Sequence, residues 1–275
     1  MMKKILITGN SGYIGSHLCK LLEDEYEIHG LDYVDPQIEV KKFYNIDITK
    51  PFSIEGVVYD AVIHLAALVN VGESEQRPIS YYITNLNGTM NVLNKVKAKH
   101  FIFASTGAAD GCSSAYGISK RAAEDVIRSY TRMADMNYSI FRFYNVIGST
   151  VVPPTNPDGL MYNLIKARDT KEFTIFGNDY TESRDGTCVR DYVHVDEICH
   201  SIRIAIEHPS NSVESLGHGV GHTVKEMVEL FQKVNNCEFE VNYGPRRKGD
   251  LPSSVLKDVS PYMKNLFSLE ELLTI

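Results

Sequence analysis

The sequence has neither a long apolar run nor an excess of basic residues. No stretch of the chain approaches the roughly 20 consecutive apolar residues that a membrane helix needs, so we expect no membrane span. The apolar run nearest the N-terminus, Ile5–Ile7, is too short for a signal peptide. Lys and Arg number 28 against 35 Asp and Glu, and the resulting net charge of −7 argues against a nucleic-acid-binding surface.

Cysteine is also scarce, and its spacing is uninformative for metal or disulfide chemistry. The five cysteines are Cys19, Cys112, Cys188, Cys199 and Cys237. They are scattered, odd in number and never in a Cys-x-x-Cys pair, which is typical of reduced thiols. We therefore predict a soluble, cytoplasmic protein. Its length of 275 residues allows one large domain or two closely packed ones.

The most informative stretch runs from Lys4 to Gly15. Its apolar run, Ile5–Ile7, is typical of a parallel strand buried on both faces, and Tyr13–Leu22 then has helical spacing. Between them lie the glycines of a Gly-x-x-Gly-x-x-Gly motif, Gly9, Gly12 and Gly15. Such glycines allow a tight turn, close approach of a pyrophosphate to the helix N-terminus, and helix–strand packing. A plain turn would also explain glycines alone.

A second predicted strand strengthens the nucleotide-binding interpretation. It runs from Glu27 to Leu31 and ends in Asp32, seventeen residues after Gly15. An acidic side chain at this point binds the adenosine ribose hydroxyls and favours NAD over NADP. The order of strand, glycine loop, helix, strand and carboxylate predicts an NAD site.

Alternating strands and helices predict a Rossmann-type α/β fold with a doubly wound parallel sheet. We expect further strands over 41–47, 61–67, 101–106 and 139–144, and helices over 81–96 and 115–133. Prolines and glycines interrupt this alternation from about Val151. Residues 1–150 are therefore predicted to form an NAD-binding domain. Residues 151–275 should form mostly a smaller substrate-binding lobe, with segments near 188–207 returning to the main domain.

The chemistry is expected from Tyr116 and Lys120, which lie one turn apart on the helix predicted for 115–133. A nearby ammonium stabilises phenolate, so we predict that the pKa of Tyr116 lies below its usual value of roughly 10. Tyr116 would then be a general base for an alcohol or sugar hydroxyl. Thr106, at the end of the preceding strand, is placed to donate a hydrogen bond to the same oxygen. The alternative is a solvated helix face, because Tyr-x-x-x-Lys often occurs by chance.

These motifs, with several longer segments, resemble the extended short-chain dehydrogenases and, within them, the UDP-glucose 4-epimerases. The segments shared with many relatives are Thr8–His17, Val62–Leu68, Val71–Ser74, Tyr81–Thr89 and Phe141–Asn145. The segments more specific to the epimerases are Ile175–Tyr180, Asp185–Val195 and Pro245–Pro252. The resemblance implies NAD as cofactor and a UDP-sugar as substrate. It also implies a homodimer formed through the helices Tyr81–Val96 and Ala115–Met133.

The resemblance also assigns roles to individual residues. The implied catalytic residues are Tyr116, Lys120 and Thr106. The residues implied at NAD are Gly9, Gly12, Tyr13, Ile14, Gly15, Asp32, Tyr33, Asp47, Ile48, Leu65, Ala66, Ala67, Thr84, Tyr116, Lys120 and Tyr144. The residues implied at the nucleotide sugar are Thr106, Asn145, Leu160, Thr174, Phe176, Arg190, Arg247 and Asp250.

Among the residues implied at the nucleotide sugar, Phe176 would pack on the base and Asp250 would bind the uridine ribose. Arg190 and Arg247 would bind the diphosphate, which suits guanidinium groups because they offer planar, charged donors. Surface ion pairs would explain the two arginines equally well, and the candidate partners are Asp185, Asp191 and Asp250.

The implied reaction is a 4-epimerisation through a transient 4-keto sugar, with Tyr116 taking the C4 hydroxyl proton and NAD the C4 hydride. The chain departs from the family pattern at several points. Gly107–Ser114 replaces a much longer loop, and Ser254 stands where some epimerases have a bulky tyrosine. Tyr33 replaces a usual asparagine, and Gly159 a polar uridine contact. The short loop and small residue predict an enlarged sugar pocket that accepts N-acetylated UDP-hexosamines.

Two other functions remain open at this stage. A nucleotide-sugar 4,6-dehydratase or decarboxylase would share the fold, but dehydratases typically follow the catalytic threonine with Asp-Glu, whereas Gly107 and Ala108 follow Thr106 here. The protein could also be catalytically weak and only bind NAD or a nucleotide sugar. The short loop favours this function, but the presence of Thr106, Tyr116 and Lys120 argues against it. No metal is expected: His218 and His222 lie among glycines, and His194, Asp196 and His200 match a family segment without metal.

Overall fold

The structure is a computed structural model that describes residues 2–247 and 250–275. Its strands are β1 Lys4–Thr8, β2 Glu27–Asp32, β3 Lys42–Asn45, β4 Val58–Tyr59, β5 Ala61–His64, β6 Lys97–Ala98, β7 His100–Thr106, β8 Asn137–Phe143, β9 Asn145–Ile147, β10 Glu172–Phe176, β11 Val189–His194, β12 Ser212–Leu216, β13 Gly221–Thr223, β14 Glu240–Gly244 and β15 Ser253–Ser254.

Its α-helices are α1 Tyr13–Leu22, α2 Val71–Gln76, α3 Pro78–Tyr81, α4 Gly88–Lys95, α5 Ala108–Gly111, α6 Ala115–Ala134, α7 Leu160–Thr170, α8 Val195–Glu207, α9 Val224–Val234 and α10 Leu269–Leu273. A π-helix, Tyr82–Asn87, joins α3 to α4. Among the described residues, no helix combines the length and apolar character needed to cross a bilayer.

The first of two compact units contains the chain through Phe143 together with Cys199–Glu214. Its sheet has seven strands in the order β12-β8-β7-β5-β1-β2-β3, and the strands from β8 to β3 are parallel. The order reverses between β1 and β5, the kind of point where such sheets bind ligands at the carboxyl ends of their strands. The predicted Rossmann-type α/β fold is confirmed.

The core of this unit explains why these strands form. Ile5, Leu6 and Ile7 of β1 are fully buried, as expected for a central parallel strand covered by helices on both faces. Helix α6 begins at a cap in which the Ser114 Oγ accepts a hydrogen bond from the Gly117 N–H at 3.1 Å. It ends at Asp135, whose φ of +49° is left-handed.

The second unit contains Tyr144–Ile198 and Ser215–Ile275. β11 pairs with β9 and β15 in parallel and with β13 antiparallel, while β10 and β14 form a separate parallel pair. Its core packs residues from α7, α9 and α10 against these strands, with Leu164, Phe231 and Leu273 fully buried. Helix α9 begins at a capping box in which Thr223 and Glu226 each bond the other's backbone N–H.

Most of the predicted elements match the structure to within two residues at each end, and the larger differences have physical reasons. The helix over 13–22 and the strand ending at Asp32 are confirmed. The strand predicted for 61–67 ends at His64, because the chain then turns to approach the glycine loop. The strand predicted for 41–47 is limited to Lys42–Asn45. The helix predicted for 81–96 contains the π-helix, in which buried Asn85 bonds Leu68 and Ser119.

Candidate active site

The glycine loop between β1 and α1 is tightly folded. The Gly9 N–H donates to the Leu31 carbonyl at 2.8 Å, and the Gly12 N–H donates to the Gly9 carbonyl at 3.1 Å. Gly9 has a φ of +75°, and a Cβ on Gly15 would lie 2.1 Å from the Gly9 oxygen. Helix α1 follows with Gly12 at its N-cap, and no side chain caps this end of the helix.

The Asp32 carboxylate lies at the end of β2, beside this loop. Its Oδ2 accepts a hydrogen bond from the Ser11 N–H at 3.2 Å, and its Oδ1 accepts from the N–H groups of Tyr33 and Val34. Tyr33 itself is largely exposed, at 72%. The loop, the start of α1 and Asp32 are thus brought together as predicted.

The segment Leu65–Ala67 also approaches the loop. The Leu65 N–H donates to the Thr8 carbonyl at 3.0 Å, and the Ala66 N–H lies 3.3 Å from the Thr8 Oγ1. A Cβ on Gly9 would lie 2.7 Å from the Ala66 nitrogen, so glycine is required for this approach. After β3, the Asp47 carboxylate accepts hydrogen bonds from the N–H and the hydroxyl of Thr49. The backbone carbonyl of the buried Ile48 accepts a hydrogen bond from the Asn91 side chain.

The two remaining residues predicted at NAD occupy other positions. Thr84 is half-buried within the π-helix. Tyr144 belongs to the second unit, where its N–H donates to the Leu216 carbonyl at 3.1 Å.

The predicted catalytic residues meet where α6 packs on the end of β7. The phenol of Tyr116 is buried beside the Thr106 hydroxyl, which favours its ionised form and so lowers its pKa, and its ring lies edge-on to Tyr81 with centroids 6.4 Å apart. Lys120 is 3% exposed, and its Nζ donates to the Ala104 carbonyl at 2.8 Å. These contacts overturn the alternative of a solvated helix face.

The residues predicted for the nucleotide sugar, apart from Thr106, all belong to the second unit. Arg247 lies over the Phe176 ring, with its Cζ 4.1 Å from the ring centroid. Arg190 donates from Nη1 to the carbonyls of Val189 and Leu251, and its Nη2 lies 3.6 Å from Asp250 Oδ1. Of the three possible acidic partners of Arg190, Asp250 is therefore the one it pairs with in the structure.

Asn145, Leu160 and Thr174 are less closely associated with that group. The Asn145 side chain donates to the Asp191 carbonyl at 3.1 Å. Leu160 is the first residue of α7 and packs on the core, and Thr174 is exposed on β10. Lys248 and Gly249, within the resembling segment Pro245–Pro252, lie outside the described residues.

Comparison with known proteins identifies the family. Residues 5–217, more than half of the chain, match the NAD dependent epimerase/dehydratase family. The chain belongs to this family. The predicted resemblance to an NAD-dependent epimerase is confirmed at this level, and with it an enzyme rather than a structural protein.

Individual members of the epimerase/dehydratase family are similar over nearly the whole chain. The UDP-glucose 4-epimerase of Bacillus subtilis is 32% identical over 90% of this chain and 86% of its own length. The structure of the Thermotoga maritima UDP-glucose 4-epimerase with UDP-glucose is 29% identical, with a TM-score of 0.82 over 98% of this chain and 96% of that one. The UDP-Glc/GlcNAc 4-epimerase of Campylobacter jejuni is also 29% identical, with a TM-score of 0.79 over 98% of this chain and 97% of that one.

The chain's own residues fit the NAD of its epimerase/dehydratase family. Asn10, in the glycine loop, is 1% exposed. Among the described residues it is one of the few whose buried side-chain polar atoms, Nδ2 and Oδ1, lack a hydrogen-bond partner. The loop thus combines the uncapped start of α1, unpaired polar atoms and the Asp32 carboxylate. This donor and acceptor set suits a pyrophosphate joined to a ribose.

The predicted electrostatics of this family's Tyr-x-x-x-Lys motif are wrong for the protein alone. Burial raises the pKa of Tyr116 to about 12, although the hydrogen bond from Thr106 opposes the change. Burial likewise lowers the pKa of Lys120 to about 7, against the raising effect of Glu124. The spacing placed the two residues on one helix face, but it did not reveal that both are buried or that Lys120 bonds the Ala104 carbonyl.

The sequence reasoning also missed Glu124 and Arg142, which lie beside the catalytic set of this family member. Arg142 binds both carboxylate oxygens of Glu124, with Nε–Oε1 at 2.9 Å and Nη2–Oε2 at 2.6 Å. The Glu124 side chain is fully buried and the Arg142 side chain 12% exposed. The signal that would have found Glu124 is its spacing, since 116, 120 and 124 continue the same helix face.

Proposed function

We propose that the chain is an NAD-dependent isomerase that interconverts the C4 epimers of UDP-hexoses. The observation that carries this proposal is the buried arrangement of Thr106, Tyr116 and Lys120 at the end of β7, in the same unit as the glycine loop and Asp32. When bound, NAD supplies a hydride acceptor that returns the same hydride later, so no net oxidation occurs.

The proton chemistry belongs to Tyr116. Its phenolate oxygen takes the proton of the C4 hydroxyl as C4 loses its hydride, which leaves a 4-keto sugar. The proton returns to the ketone oxygen when the hydride returns to the opposite face of C4. Because burial alone favours the neutral phenol, the positive charge of protonated Lys120 is needed to stabilise the phenolate. In the free protein the Thr106 hydroxyl favours the ionised form of Tyr116, and with the sugar bound its single O–H would donate to the C4 oxygen instead.

The nucleotide half of the substrate would bind in the second unit. Phe176 offers an aromatic face for the uracil, and Arg190 and Arg247 offer guanidinium groups for the diphosphate. A diphosphate would compete with Asp250 for Arg190, which would free the Asp250 carboxylate for the uridine ribose. Binding energy would then come mainly from the nucleotide, and the hexose could turn over between oxidation and reduction.

We also propose that N-acetylated UDP-hexosamines are substrates. The segment Gly107–Ser114 is reduced to the short helix α5, Ala108–Gly111, before α6 begins. Ser254 of β15 is in register with Arg190 of β11, so a small side chain lies beside the expected diphosphate arginine. The short segment and the small side chain are the two departures from the family pattern on which this proposal rests. The Campylobacter jejuni relative acts on both glucose and N-acetylglucosamine forms.

The test is incubation of the purified protein with UDP-galactose and, separately, UDP-GalNAc, without added reductant, followed by NMR of the C4 epimers. We expect both sugars to reach an equilibrium mixture of epimers. Conversion of UDP-galactose alone would contradict the hexosamine proposal. A 4-keto-6-deoxy product would replace the epimerase by a dehydratase. No turnover by protein that still retains NAD would leave only a binding function.

A homodimer through Tyr81–Val96, which contains the π-helix and α4, and through α6 is part of the same proposal. These helices pack on one another yet expose Ile83, Met90 and Ile118 by 42%, 39% and 40%. Sedimentation is expected to give about twice the chain mass of 30.9 kDa. The double variant I83E/I118E should sediment as a monomer. The control V58E places the same charge on β4, at a valine that is 59% exposed, and should remain a dimer. A monomeric wild type would contradict this proposal.

We further propose a reducing compartment, the cytoplasm, as the place of action. None of the five cysteines, all among the described residues, forms a disulfide, and Cys19, Cys188 and Cys199 are buried. Thiols in this arrangement are typical of proteins kept in reducing surroundings.

A further inference from the structure

Three consecutive residues at the end of β7 are held by one face of α6. Lys120 bonds the Ala104 carbonyl, and Glu124 accepts a hydrogen bond from the Ser105 hydroxyl at 2.5 Å. The Thr106 hydroxyl lies beside the Tyr116 phenol and lowers its pKa. The three helix residues are spaced by four, so each lies one turn from the next. The position of the Thr106 hydroxyl and that of the Lys120 ammonium therefore depend on the same helix–strand contact.

Glu124 supplies the negative charge of this contact. It is fully buried, and an isolated buried carboxylate would be strongly unfavourable. Arg142, which is in register with Ser105 on the neighbouring strand β8, binds both of its oxygens. Arg142 also pairs with Asp110 of α5, so the shortened segment Gly107–Ser114 is joined to the same group.

Lys120 is a buried cation whose bonded partner, the Ala104 carbonyl, carries no charge. The carboxylate of Glu124, one turn away, favours the protonated form, whereas burial disfavours it. The titratable and charged groups around this pair come from the elements packed against it. They are Tyr116, Glu124, Arg142, Asp110, Cys112, Tyr81, Glu73, Glu75 and His64. Burial and Lys120 lower the pKa of His64 to about 3, so His64 is neutral near pH 7 and adds no competing charge.

We propose that Glu124 is a positioning residue that keeps Lys120 protonated and fixes the Ala104–Thr106 end of β7. This role rests on the proposed epimerase function, because a charged Lys120 is required there to stabilise the Tyr116 phenolate. Glu124 acts only through Lys120 and Ser105 and has no contact with the reacting sugar in this scheme.

The first measurement is the pH dependence of kcat for UDP-galactose epimerisation. The active form combines the Tyr116 phenolate with protonated Lys120, so activity should rise as the phenol ionises and fall at higher pH as Lys120 loses its proton. E124Q removes the charge that favours protonation, so its alkaline limb should move to lower pH by about one unit. On that limb a shift of one unit corresponds to about a tenfold loss of kcat relative to wild type at the same pH. E124D keeps the charge and should restore the limb.

The matched control is D125N, which makes the same charge change at the next residue of α6, where the side chain is 60% exposed. Its profile should coincide with that of wild type. S105A removes the hydrogen bond between Glu124 and β7 but keeps the charges of Glu124 and Lys120. It should lower kcat without moving the alkaline limb. The variant therefore separates the effect of Glu124 on the position of β7 from its effect on the protonation of Lys120.

The second measurement does not depend on activity. Lysine labelled with ¹³C at Cε reports the titration of Lys120 by NMR, and K120R assigns its signal. The midpoint in E124Q should lie below that in wild type. E124Q/R142M removes the whole ion pair, which avoids an unpaired buried arginine if E124Q does not fold, and should show the same direction of shift.

An unchanged Lys120 midpoint in a folded Glu124 variant would overturn the proposal. So would an unchanged alkaline limb in E124Q. If the wild type shows no epimerisation but the NMR midpoint still shifts, the proposed function has failed while the link between Glu124 and Lys120 stands.

Discussion

Replacing Tyr116 by phenylalanine is expected to lower kcat for UDP-galactose epimerisation by about a thousandfold, in the range that general acid–base groups contribute. The change removes one phenolic oxygen and leaves the ring packed against Tyr81. The C4 hydroxyl then has no base. Initial rates by NMR give the loss in kcat. The absorbance of bound NAD and the midpoint of thermal unfolding show whether the cofactor site and the fold persist.

The matched control is Y130F on the same helix. Tyr130 is partly buried against the core of the first unit, so it undergoes the same loss of a hydroxyl away from the catalytic contact. Its rate should equal that of wild type. If Y116F retained more than a tenth of the wild-type rate, another residue would have to be the base.

Replacing Gly15 by alanine is expected to abolish NAD retention and to destabilise the first unit. A Cβ at this position would lie 2.1 Å from the Gly9 oxygen and 2.7 Å from the Asn10 Cα, both rigid backbone atoms. The loop must therefore move away from the start of α1. Overpacking of this kind typically costs about 1–3 kcal/mol of unfolding free energy. Denaturant unfolding measures that cost, and gel filtration followed by absorbance measures retained NAD, which should fall by more than about tenfold.

G111A is the control for this prediction. A Cβ on Gly111 meets nothing within 4 Å, and its φ lies outside the left-handed region. The same Gly-to-Ala change should therefore leave both stability and NAD retention unchanged. Wild-type NAD retention by G15A would mean that this loop does not hold the cofactor.

The sequence predicted β1, the glycine loop and α1 well, because each is specified by a pattern of neighbouring residues. The apolar run Ile5–Ile7, the three spaced glycines and the periodicity of Tyr13–Leu22 each act over a few residues. The structure places β1, the loop and α1 at those positions. Asp32 follows at the end of β2 because parallel strands end at the same edge of the sheet.

The features that sequence did not predict depend on contacts between distant residues. Lys120 and the Ala104 carbonyl are 16 positions apart, and Arg142 and Glu124 are 18 apart. The direction of the Tyr116 pKa change follows from burial, which periodicity alone does not report. The π-helix likewise follows from tertiary bonds made by Asn85 rather than from helix propensity.

For Arg190, in the second unit, the sequence allowed two interpretations, diphosphate binding and a surface ion pair. The structure shows an ion-pair partner and leaves diphosphate binding as a proposal. Arg190 pairs with Asp250 and bonds the Leu251 carbonyl, 61 positions away. An arginine already near a carboxylate is also an arginine that a diphosphate can recruit. Ion pairing and substrate binding are therefore successive uses of one guanidinium group in the proposed function.

The short connection between β7 and α6 makes the chain a convenient host for protein engineering. Its two ends are fixed, by the Asp110–Arg142 ion pair and by the Ser114 cap of α6, while Gly111 and Cys112 between them are exposed. Residues can be inserted at this point without interrupting the sheet or the helix. The longer loop typical of the relatives can thus be grafted in graded lengths, and each graft would report how much of the sugar selectivity that loop controls.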